Sequence, residues 1–373
     1  MHIVFVIANN SSVPYFKWFA EKATEAKNYR FTFVALHSEI PEMINDVKKF
    51  GWKCYWIKFN NTKRKSNMIK AFFSLYKLFK EIKPDVVHSH LFDDSLPTLF
   101  AARLAGIKKR VITKQDTTFH YYYAKKWMIA DKFNNWNATH IHAVATENMK
   151  FIIEKEKALE QKVHLVRNGF RYDLMTKNNN LYVDELKLQY NLANKTVVGT
   201  VARLIPWKGH NLIIKAAKKL IKIYPNLLFV WAGSDGGDGF KDELQELINH
   251  EGLQDNIIIL GWIERYKMPS LYNCMDIYLH PALREPFGFA ITEALMNSVP
   301  IIATKTGSTD LIENFKEGIL IEENSIDDIV NAIVYYLENK SETKNISTKG
   351  NQHAIDNLTF NKMWEGHINM YNN

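Results

Sequence analysis

One stretch in the second half of the chain decides the fold, and it reads Ile277-Tyr-Leu-His280-Pro-Ala-Leu-Arg-Glu285-Pro286-Phe287-Gly288-Phe289-Ala-Ile-Thr-Glu293. The apolar run that ends at His280 is typical of a short buried strand. Pro286 disfavours helical backbone at Glu285, so we expect a helix to begin near Phe287. A strand, a loop and a helix in this order form the repeating unit of parallel α/β sheets.

The loop and the first turn of this helix have the chemistry of a ligand site. The first amides of a helix have no partner within it and carry the positive end of its dipole. Such a terminus suits a phosphate or a sugar, and Gly288 leaves the backbone open to a ligand oxygen. We expect Glu285 to bind sugar hydroxyls and Glu293, about two turns into the helix, to bind those of a ribose. The alternative is that both glutamates only favour the amino-terminal half of an exposed helix.

A second strand–loop–helix stretch reads Gly199-Thr-Val-Ala-Arg203-Leu-Ile-Pro-Trp-Lys208-Gly209. Arg203 and Lys208 can both reach a diphosphate at the carboxyl edge of the strand. A departing nucleoside diphosphate gains negative charge, which fixed cations stabilise in place of a metal ion. The sequence has no Asp-x-Asp element, so we expect no metal in this site. The alternative, a basic helix start on a solvated face, opposes the helix dipole.

Strand and helix patterns alternate along the whole chain. The candidate strands are His2–Ile7, Phe31–Leu36, Lys53–Ile57, Val86–His88, Arg110–Thr113, His140–Val144, Val163–Val166, Thr196–Val201, Leu227–Trp231, Asn256–Leu260, Ile277–His280 and Pro300–Ala303. The candidate helices include Lys208–Ile223, Ile326–Leu337 and Phe360–Tyr371. Strands that alternate with helices predict right-handed crossovers and parallel sheets.

These elements predict an α/β protein of two doubly wound, Rossmann-like domains whose crevices face each other across a cleft. The 373 residues are too many for one ordinary core. We expect an N-terminal domain at residues 1–175, a second domain at residues 176–358 and a final helix at residues 359–373.

Bulk composition excludes several classes of protein. Hydrophobic residues make up 46% and charged residues 24% of the chain, which excludes a disordered protein. Cys54 and Cys274 are too few for a disulfide framework, and no Asp, Glu or Cys cluster completes a metal site with His88 and His90. No signal peptide is visible, and no apolar run approaches the roughly 20 residues that span a bilayer. We therefore expect a cytoplasmic protein, with the inner face of the membrane as its place of peripheral attachment.

The net charge is distributed unevenly. Of the 48 basic and 40 acidic residues, 29 and 16 lie in residues 1–175, which gives +13 there and −5 in the rest. A basic half can bind nucleic acid, anionic lipid or a phosphorylated substrate, whereas the alternative is a solvated lysine-rich surface. The segment Lys63–Lys83 adds Phe73 and Tyr76 to its lysines, which favours an anionic membrane as partner. A helix that only covers a sheet would explain the same apolar stripe.

Several of these motifs together resemble a known family. The Glu-x7-Glu element of Glu285 and Glu293, with Pro-Phe-Gly inside it, resembles the signature of retaining GT-B glycosyltransferases of family 4. Further similar landmarks are Gly199…Arg203…Lys208-Gly209, Pro84-Asp-Val-Val-His-Ser-His90, Val166-Arg-Asn168-Gly169, Ile259-Leu-Gly261-Trp262 and Pro300-Ile-Ile-Ala-Thr304. The resemblance implies a GT-B fold, an acceptor site in the N-terminal domain, a donor site in the C-terminal domain and a last helix that crosses back to the N-terminal domain.

The resemblance also implies a role for each donor-site residue. Arg203 and Lys208 would hold the donor diphosphate, and Glu285 would be the catalytic residue. Glu285 and the amides of Phe287, Gly288 and Phe289 would contact the donor sugar. Glu293 would contact the ribose. The backbone near Trp262 and Ile263 would contact the base.

Three loops depart from the family pattern. The first reads Asn9-Asn10-Ser11-Ser12 where the family often has Gly-Gly, the second reads Lys114-Gln115-Asp116 where it often has a histidine, and the third reads Gly307-Ser308-Thr309-Asp310 where it has Gly-Gly-x-Glu. Asn10 and His120 are therefore the candidates on the acceptor side, with His120 as the substitute for the missing histidine. The diphosphate site is not affected by these departures.

We expect a hexosyltransferase-type enzyme that moves a sugar from a nucleotide-sugar to an acceptor hydroxyl with retention, in cell-surface polysaccharide or glycolipid synthesis. UDP-sugar is the first choice of co-substrate, no other cofactor is expected, and the acceptor is a glycan or lipid-linked glycan. One alternative is a nucleotide-sugar 2-epimerase of similar fold, which would need no acceptor. Another is an RNA-binding protein that uses the basic half, but no aromatic ribonucleoprotein-type motif supports it, so nucleic acid is not an expected partner. Nothing in the sequence specifies an oligomeric state.

Overall fold

The computed structural model describes residues 1–11, 13–115, 118–237 and 239–373, without the side chains of Asn61, Thr118, Phe119 and Tyr123. Ser12 and Asp116, which belong to two of the loops discussed above, lie outside the described residues. The described residues form two compact units, Met1–Asn168 together with Asn361–Asn373, and Gly169–Phe360. None of the described helices has both the length and the apolar character needed to cross a bilayer.

The first unit is built on a parallel sheet. Its described strands are β1 (His2–Ala8), β2 (Arg30–His37), β3 (Lys53–Lys58), β4 (Val86–Ser89), β5 (Lys109–Lys114), β6 (His140–Ala143) and β7 (Val163–Leu165). They lie in the order β3-β2-β1-β4-β5-β6-β7, and all neighbouring strands are parallel. The strand order reverses between β1 and β4, which is the switch point of a doubly wound sheet.

The helices of the first unit lie between these strands in the sequence. They are α1 (Pro14–Glu25), α2 (Met43–Lys48), α3 (Arg64–Ile82), α4 (Phe92–Leu104), α5 (Thr118–Tyr123), α6 (Met128–Asn137) and α7 (Thr146–Glu154). The inner face of α3 places Leu75 and Phe79 in one core with Val4 and Val6 of β1. Burial of such side chains is the main force that fixes the helix on the sheet.

The second unit repeats the architecture. Its described strands are β8 (Thr196–Val201), β9 (Leu227–Ala232), β10 (Ile257–Gly261), β11 (Ile277–His280), β12 (Ile301–Thr304) and β13 (Ile319–Ile321). They are parallel and lie in the order β10-β9-β8-β11-β12-β13. β8 and β11 are therefore neighbours at the switch point, and their carboxyl ends lie side by side.

The helices of the second unit are α8 (Tyr172–Met175), α9 (Asn180–Gln189), α10 (His210–Leu220), α11 (Phe240–His250), α12 (Met268–Tyr272), α13 (Phe289–Met296), α14 (Ile326–Glu338) and α15 (Lys340–Asn357). The core contains Trp231 of β9, Leu279 of β11, Ile213 of α10 and Ile333 of α14. The last helix, α16 (Phe360–Asn372), belongs to the first unit from Asn361 onward.

The expected α/β fold of two Rossmann-like parallel-sheet domains is confirmed. All candidate strands are present within one residue of their expected ends, and β13 is the strand that the sequence did not reveal. Three residues are too few to show a periodicity. The second unit begins at Gly169, ahead of the expected boundary after residue 175. The carbonyl of Met175 accepts a hydrogen bond from Asn297 at 2.9 Å, so α8 is tied to the second unit.

Candidate active site

A cluster of three polar side chains lies at the carboxyl ends of β8 and β11. The carboxylate oxygen Oε2 of Glu285 is 2.6 Å from Nζ of Lys208 and 2.8 Å from Nε2 of His280. The side chains of all three residues are at most 15% exposed. Nδ1 of His280 lies 3.1 Å from the hydroxyl of Tyr278. The cluster thus combines one carboxylate and one ammonium with an imidazole that is held from both sides.

Glu285 is ionised in this cluster. Burial of its carboxyl would raise its pKa, but the hydrogen bond from His280 and the charge of Lys208 outweigh that effect and lower the pKa to about 2. Burial lowers the pKa of His280, aided by Lys208 and against the effect of Glu285, so the imidazole is neutral at pH 7. Its Nε2 must then carry the proton that is donated to Glu285. The hydroxyl of Tyr278, beside Nδ1, donates to the carbonyl of Val201 at 3.2 Å.

Two glycines fix the loops that carry Glu285 and Lys208. The amide of Gly307 donates to the carbonyl of Glu285 at 2.8 Å, and a Cβ at Gly307 would lie 2.1 Å from that oxygen. Gly209 has a φ of +80°, and a Cβ there would lie 2.1 Å from the carbonyl oxygen of Pro281. A side chain at Gly307 would push the loop after β12 away from Glu285, and one at Gly209 would push the Lys208 loop away from Pro281, because such distances are far below van der Waals contact.

The start of α13 differs from the expectation. The helix begins at Phe289 rather than near Phe287, and Phe287 is buried in the core. Gly288 precedes the helix with a φ of +99°, and a Cβ on it would lie 2.9 Å from methyl groups of Ile291 and Leu311. Backbone geometry and packing therefore explain this glycine without a ligand oxygen. Phe289 is half exposed, and its amide is among those that no residue of the helix can accept.

A pocket of about 330 Å³ in the second unit brings most of the other expected donor-site residues together. Arg203, Trp262, Ile263 and Glu293 line it, as does Arg265. Trp262 is 68% exposed, so its indole is accessible to a ligand. Cations can bind phosphate groups, a carboxylate can accept hydroxyl protons and an exposed aromatic ring can stack on a planar base.

Glu293 is largely buried in the wall of this pocket. Its carboxylate accepts a hydrogen bond from the hydroxyl of Tyr272 at 3.0 Å and lies 3.7 Å from the guanidinium of Arg265. Burial raises the pKa of Glu293, against the opposing effects of Arg265 and Tyr272. A fixed carboxylate with a remaining lone pair can accept a ribose hydroxyl.

Sequence reasoning missed three residues of this site. His280 is the last residue of a predicted strand and stands five positions before Glu285, a spacing that could have identified it. Arg265 follows the expected base-contact residue Ile263 closely and could have been found as a cation beside it. Tyr272 lies on the short helix α12, and no sequence signal indicates that its hydroxyl meets Glu293.

The first unit has its own polar pocket, of about 260 Å³, at the ends of β4 and β5. His120 lines it, and its Nδ1 lies 2.6 Å from Oδ2 of Asp131. Nζ of Lys114 lies 2.8 Å from Asp131 and 3.0 Å from Glu156. Burial alone would lower the pKa of Lys114, but these two carboxylates outweigh it and raise the pKa. The sequence assigns His120 to the acceptor side and places Lys114 in a loop that departs from the family pattern, but it does not indicate Asp131 or Glu156.

Two side chains in this pocket have unused hydrogen-bonding atoms. Nε2 of His90 and both amide atoms of Asn134 are buried and have no partner among the described residues. Both residues line the pocket. Asn10 lies half-buried in the loop after β1 and is not among the described residues that line this pocket.

A separate cluster of histidines lies inside the first unit. His88, His142 and His367 are buried with their ring nitrogens close together. His88 contacts the hydroxyls of Tyr371 and Thr113 at 2.6 and 2.7 Å. The other two rings are engaged equally, since His142 lies 2.9 Å from Thr113 and 2.7 Å from the carbonyl of Val166, and His367 lies 3.0 Å from Tyr15 and 2.8 Å from the carbonyl of Met363. All six nitrogens thus have protein partners, which is the pattern of an internal hydrogen-bond network.

Solved structures show the class of the fold. The crystal structure of HepE from Anabaena in complex with UDP superposes with a TM-score of 0.83, over 99% of both chains, at 19% identity. A lipopolysaccharide outer core galactosyltransferase, WaaB, superposes with a TM-score of 0.75 over 99% of both chains at 15% identity. The two parallel-sheet units therefore have the GT-B fold.

Sequence comparisons give the family. Residues 21–174 match the family model Glycosyltransferase Family 4, and residues 184–353 match Glycosyl transferases group 1. The chain belongs to these glycosyltransferases. It is 28% identical to the UDP-Gal:alpha-D-GlcNAc-diphosphoundecaprenol alpha-1,3-galactosyltransferase of Escherichia coli, over 78% of this chain and 75% of that one. It is 25% identical to the capsular polysaccharide biosynthesis glycosyltransferase CapM of Staphylococcus aureus, over 82% and 80% of the two chains.

Proposed function

We propose that this protein transfers a hexose from a UDP-sugar to a hydroxyl of a lipid-linked glycan, with retention of the anomeric configuration and without a divalent metal. The name of the Escherichia coli relative specifies a UDP-sugar donor and a diphosphoundecaprenol-linked acceptor. HepE has been solved with UDP and with UDP-glucose. The name of CapM specifies capsular polysaccharide synthesis. These names support the choice of donor, acceptor and pathway class.

The observation that carries the proposal is the cluster of Lys208, Glu285 and His280. Lys208 has three N–H groups and uses one of them on Glu285, so the others can bind the donor diphosphate. Arg203 adds a second cation at the end of the same strand. Two fixed cations next to the leaving group supply the charge that a metal would otherwise provide.

Glu285 acts as an anion in the proposed mechanism. With a pKa of about 2 it holds no proton at pH 7, so it cannot protonate the leaving diphosphate. Its negative charge instead stabilises the positive charge that develops on the sugar ring in an oxocarbenium-like transition state. His280 positions the carboxylate through the hydrogen bond from Nε2. The diphosphate then leaves as an anion that is neutralised by Lys208 and Arg203.

The pocket around His120 is the proposed acceptor side. His90 and Asn134 offer one ring nitrogen, one amide donor and one amide acceptor, all without partners among the described residues. A ligand that both donates and accepts hydrogen bonds would satisfy them, as sugar hydroxyls and acetamido groups do. The dyad of His120 and Asp131 can accept a proton from an attacking hydroxyl.

The test uses UDP-galactose, UDP-glucose and GDP-mannose as donors and a short-chain alkyl diphosphate sugar as acceptor, all in EDTA. We expect transfer from a UDP-sugar, and the coupling constant of the new anomeric proton in NMR should show the α configuration of the donor. A β-linked product would refute retention. Activity that EDTA abolishes and magnesium or manganese restores would refute metal independence. Consumption of the donor without acceptor, with release of an epimer, would favour the 2-epimerase alternative.

A further inference from the structure

Three helices of the first unit expose one continuous apolar surface, which we call the three-helix face. It consists of Ile69 and Phe73 on α3, Phe100 and Leu104 on α4, and Ile129, Phe133 and Trp136 on α6, with exposed fractions between 38% and 77%. The face is continuous because its rings touch. The ring centroids of Phe72 and Phe73 are 5.1 Å apart, those of Phe72 and Phe100 5.3 Å, those of Phe100 and Phe133 6.2 Å, and those of Phe133 and Trp136 5.8 Å.

This surface is not required by the core of the unit. α3 already buries Ala71, Leu75, Leu78 and Phe79 against the sheet, so the exposed Phe73 is not needed to hold α3 on the sheet. Soluble proteins rarely expose contiguous apolar patches of this kind, and where they do the patch binds something.

The charges on the same three helices are almost all positive. The exposed basic residues are Lys65, Lys70, Lys77 and Lys80 on α3, Arg103 on α4 and Lys132 on α6. Against them stands the exposed Glu81 on α3. Asp93 of α4 is paired with Arg64, and Asp94 and Asp131 are buried. Arg103 lies 3.9 Å above the ring of Trp136, so a cation and an aromatic ring share one position on the face.

We propose that the three-helix face binds the surface of an anionic phospholipid membrane. Aromatic and aliphatic side chains enter the boundary between headgroups and acyl chains, and lysines around them attract acidic lipids. A second copy of the chain fits less well, because a symmetric contact would place these lysines against one another. The inference extends the proposed function, since a lipid-linked acceptor lies in such a membrane.

The test is co-sedimentation of the whole protein with vesicles of phosphatidylcholine alone or of phosphatidylcholine with phosphatidylglycerol. The test variant combines Phe73→Ser, Ile129→Ser and Trp136→Ser. The matched control combines Leu181→Ser, Leu188→Ser and Ile223→Ser, which remove three exposed apolar side chains from the second unit. Calorimetric binding of UDP checks that each variant is folded.

We expect the wild type to bind vesicles that contain phosphatidylglycerol and to dissociate from them at high salt. The test variant should bind these vesicles roughly tenfold or more weakly than the wild type, and the control variant should bind them as the wild type does. Equal binding to neutral and anionic vesicles, or vesicle binding unchanged in the test variant, would overturn the inference. So would a wild-type dimer in sedimentation that the test variant converts to a monomer. If the wild type bound vesicles but not UDP, the proposed function would be refuted and the membrane-binding surface would still be supported.

Discussion

The carboxylate of Glu285 lies 2.6 Å from the ammonium of Lys208, although 77 residues separate them in the sequence. The two residues follow β11 and β8, which are neighbours in the sheet of the second unit. The group assigned to the sugar and the group assigned to the diphosphate therefore meet at one point. The chemistry proposed for the site requires this, because the bond that breaks joins the sugar to the diphosphate.

Replacement of either cation should weaken nucleotide binding. Loss of one charge-assisted contact costs about 1.5–3 kcal/mol, or roughly ten- to a hundredfold in affinity. We therefore expect Lys208→Ala and Arg203→Ala each to raise the Kd for UDP by that factor in calorimetry and to lower turnover. Lys215→Ala, an exposed lysine on α10, is the matched control. UDP affinity equal to that of the control would show that these cations do not hold the diphosphate.

Glu285→Gln should separate catalysis from binding. The change keeps the shape of the side chain but removes the negative charge that stabilises the developing oxocarbenium ion. Turnover with the full donor should therefore fall strongly. UDP has no donor hexose that could contact Glu285, and Lys208 is released from its ion pair, so UDP affinity should be no weaker than in the wild type. Steady-state rates and calorimetry on one preparation measure both. Normal turnover, or a loss of UDP affinity as large as that of Arg203→Ala, would contradict the roles assigned here.

Glu293→Ala should affect the nucleoside and not the diphosphate. If Glu293 binds the ribose, the variant should bind UDP roughly tenfold more weakly and inorganic pyrophosphate unchanged, because pyrophosphate has no ribose. Competition of the two ligands in calorimetry gives both constants. Parallel losses for UDP and pyrophosphate would mean that Glu293 only supports Arg265, which lies 3.7 Å away.

The histidine network should make the first unit sensitive to acid. Burial lowers the pKa of His142 from 6.5 to about 4, and the pKa values of His88, His90 and His367 are lowered as well. Because the unfolded chain binds these protons first, stability is present above about pH 6.5 and falls as the pH drops toward 4. His142 alone accounts for roughly 3 kcal/mol over that range.

The comparison for this prediction is His142→Asn, which cannot titrate. Its free energy of unfolding, measured in urea from pH 7 to 4, should fall less steeply than that of the wild type. Asp94, whose pKa burial raises to about 8, and Glu293, whose pKa is also raised, act in the opposite direction in both proteins. They cancel in the difference between the slopes. Equal slopes would exclude His142 from the acid response.

The fold was readable from the sequence because its signals are local. Apolar runs such as Ile277–His280 and the turn at Pro286 determine the backbone conformation of the residues next to them in the sequence. The positions of Arg203 and Lys208 could be predicted because both residues closely follow the strand β8. The hydrogen bond between His280 and Glu285 depends on the path of a loop, and that between Tyr272 and Glu293 depends on how two helices pack. Neither leaves a periodic trace in the sequence.

The network that joins His88 to Tyr371 across 283 residues also bears on how the chain is made. The ribosome releases the strands of the first unit well before α16, whose residues close their interior, and all of Gly169–Phe360 is synthesised in between. At ordinary translation rates the delay is about 10 to 40 seconds. During that time His88 and His142 of the nascent first unit lack the contacts that Tyr371 and His367 of α16 later supply. We therefore expect the first unit to complete its interior only after the last residue of the second unit has been synthesised.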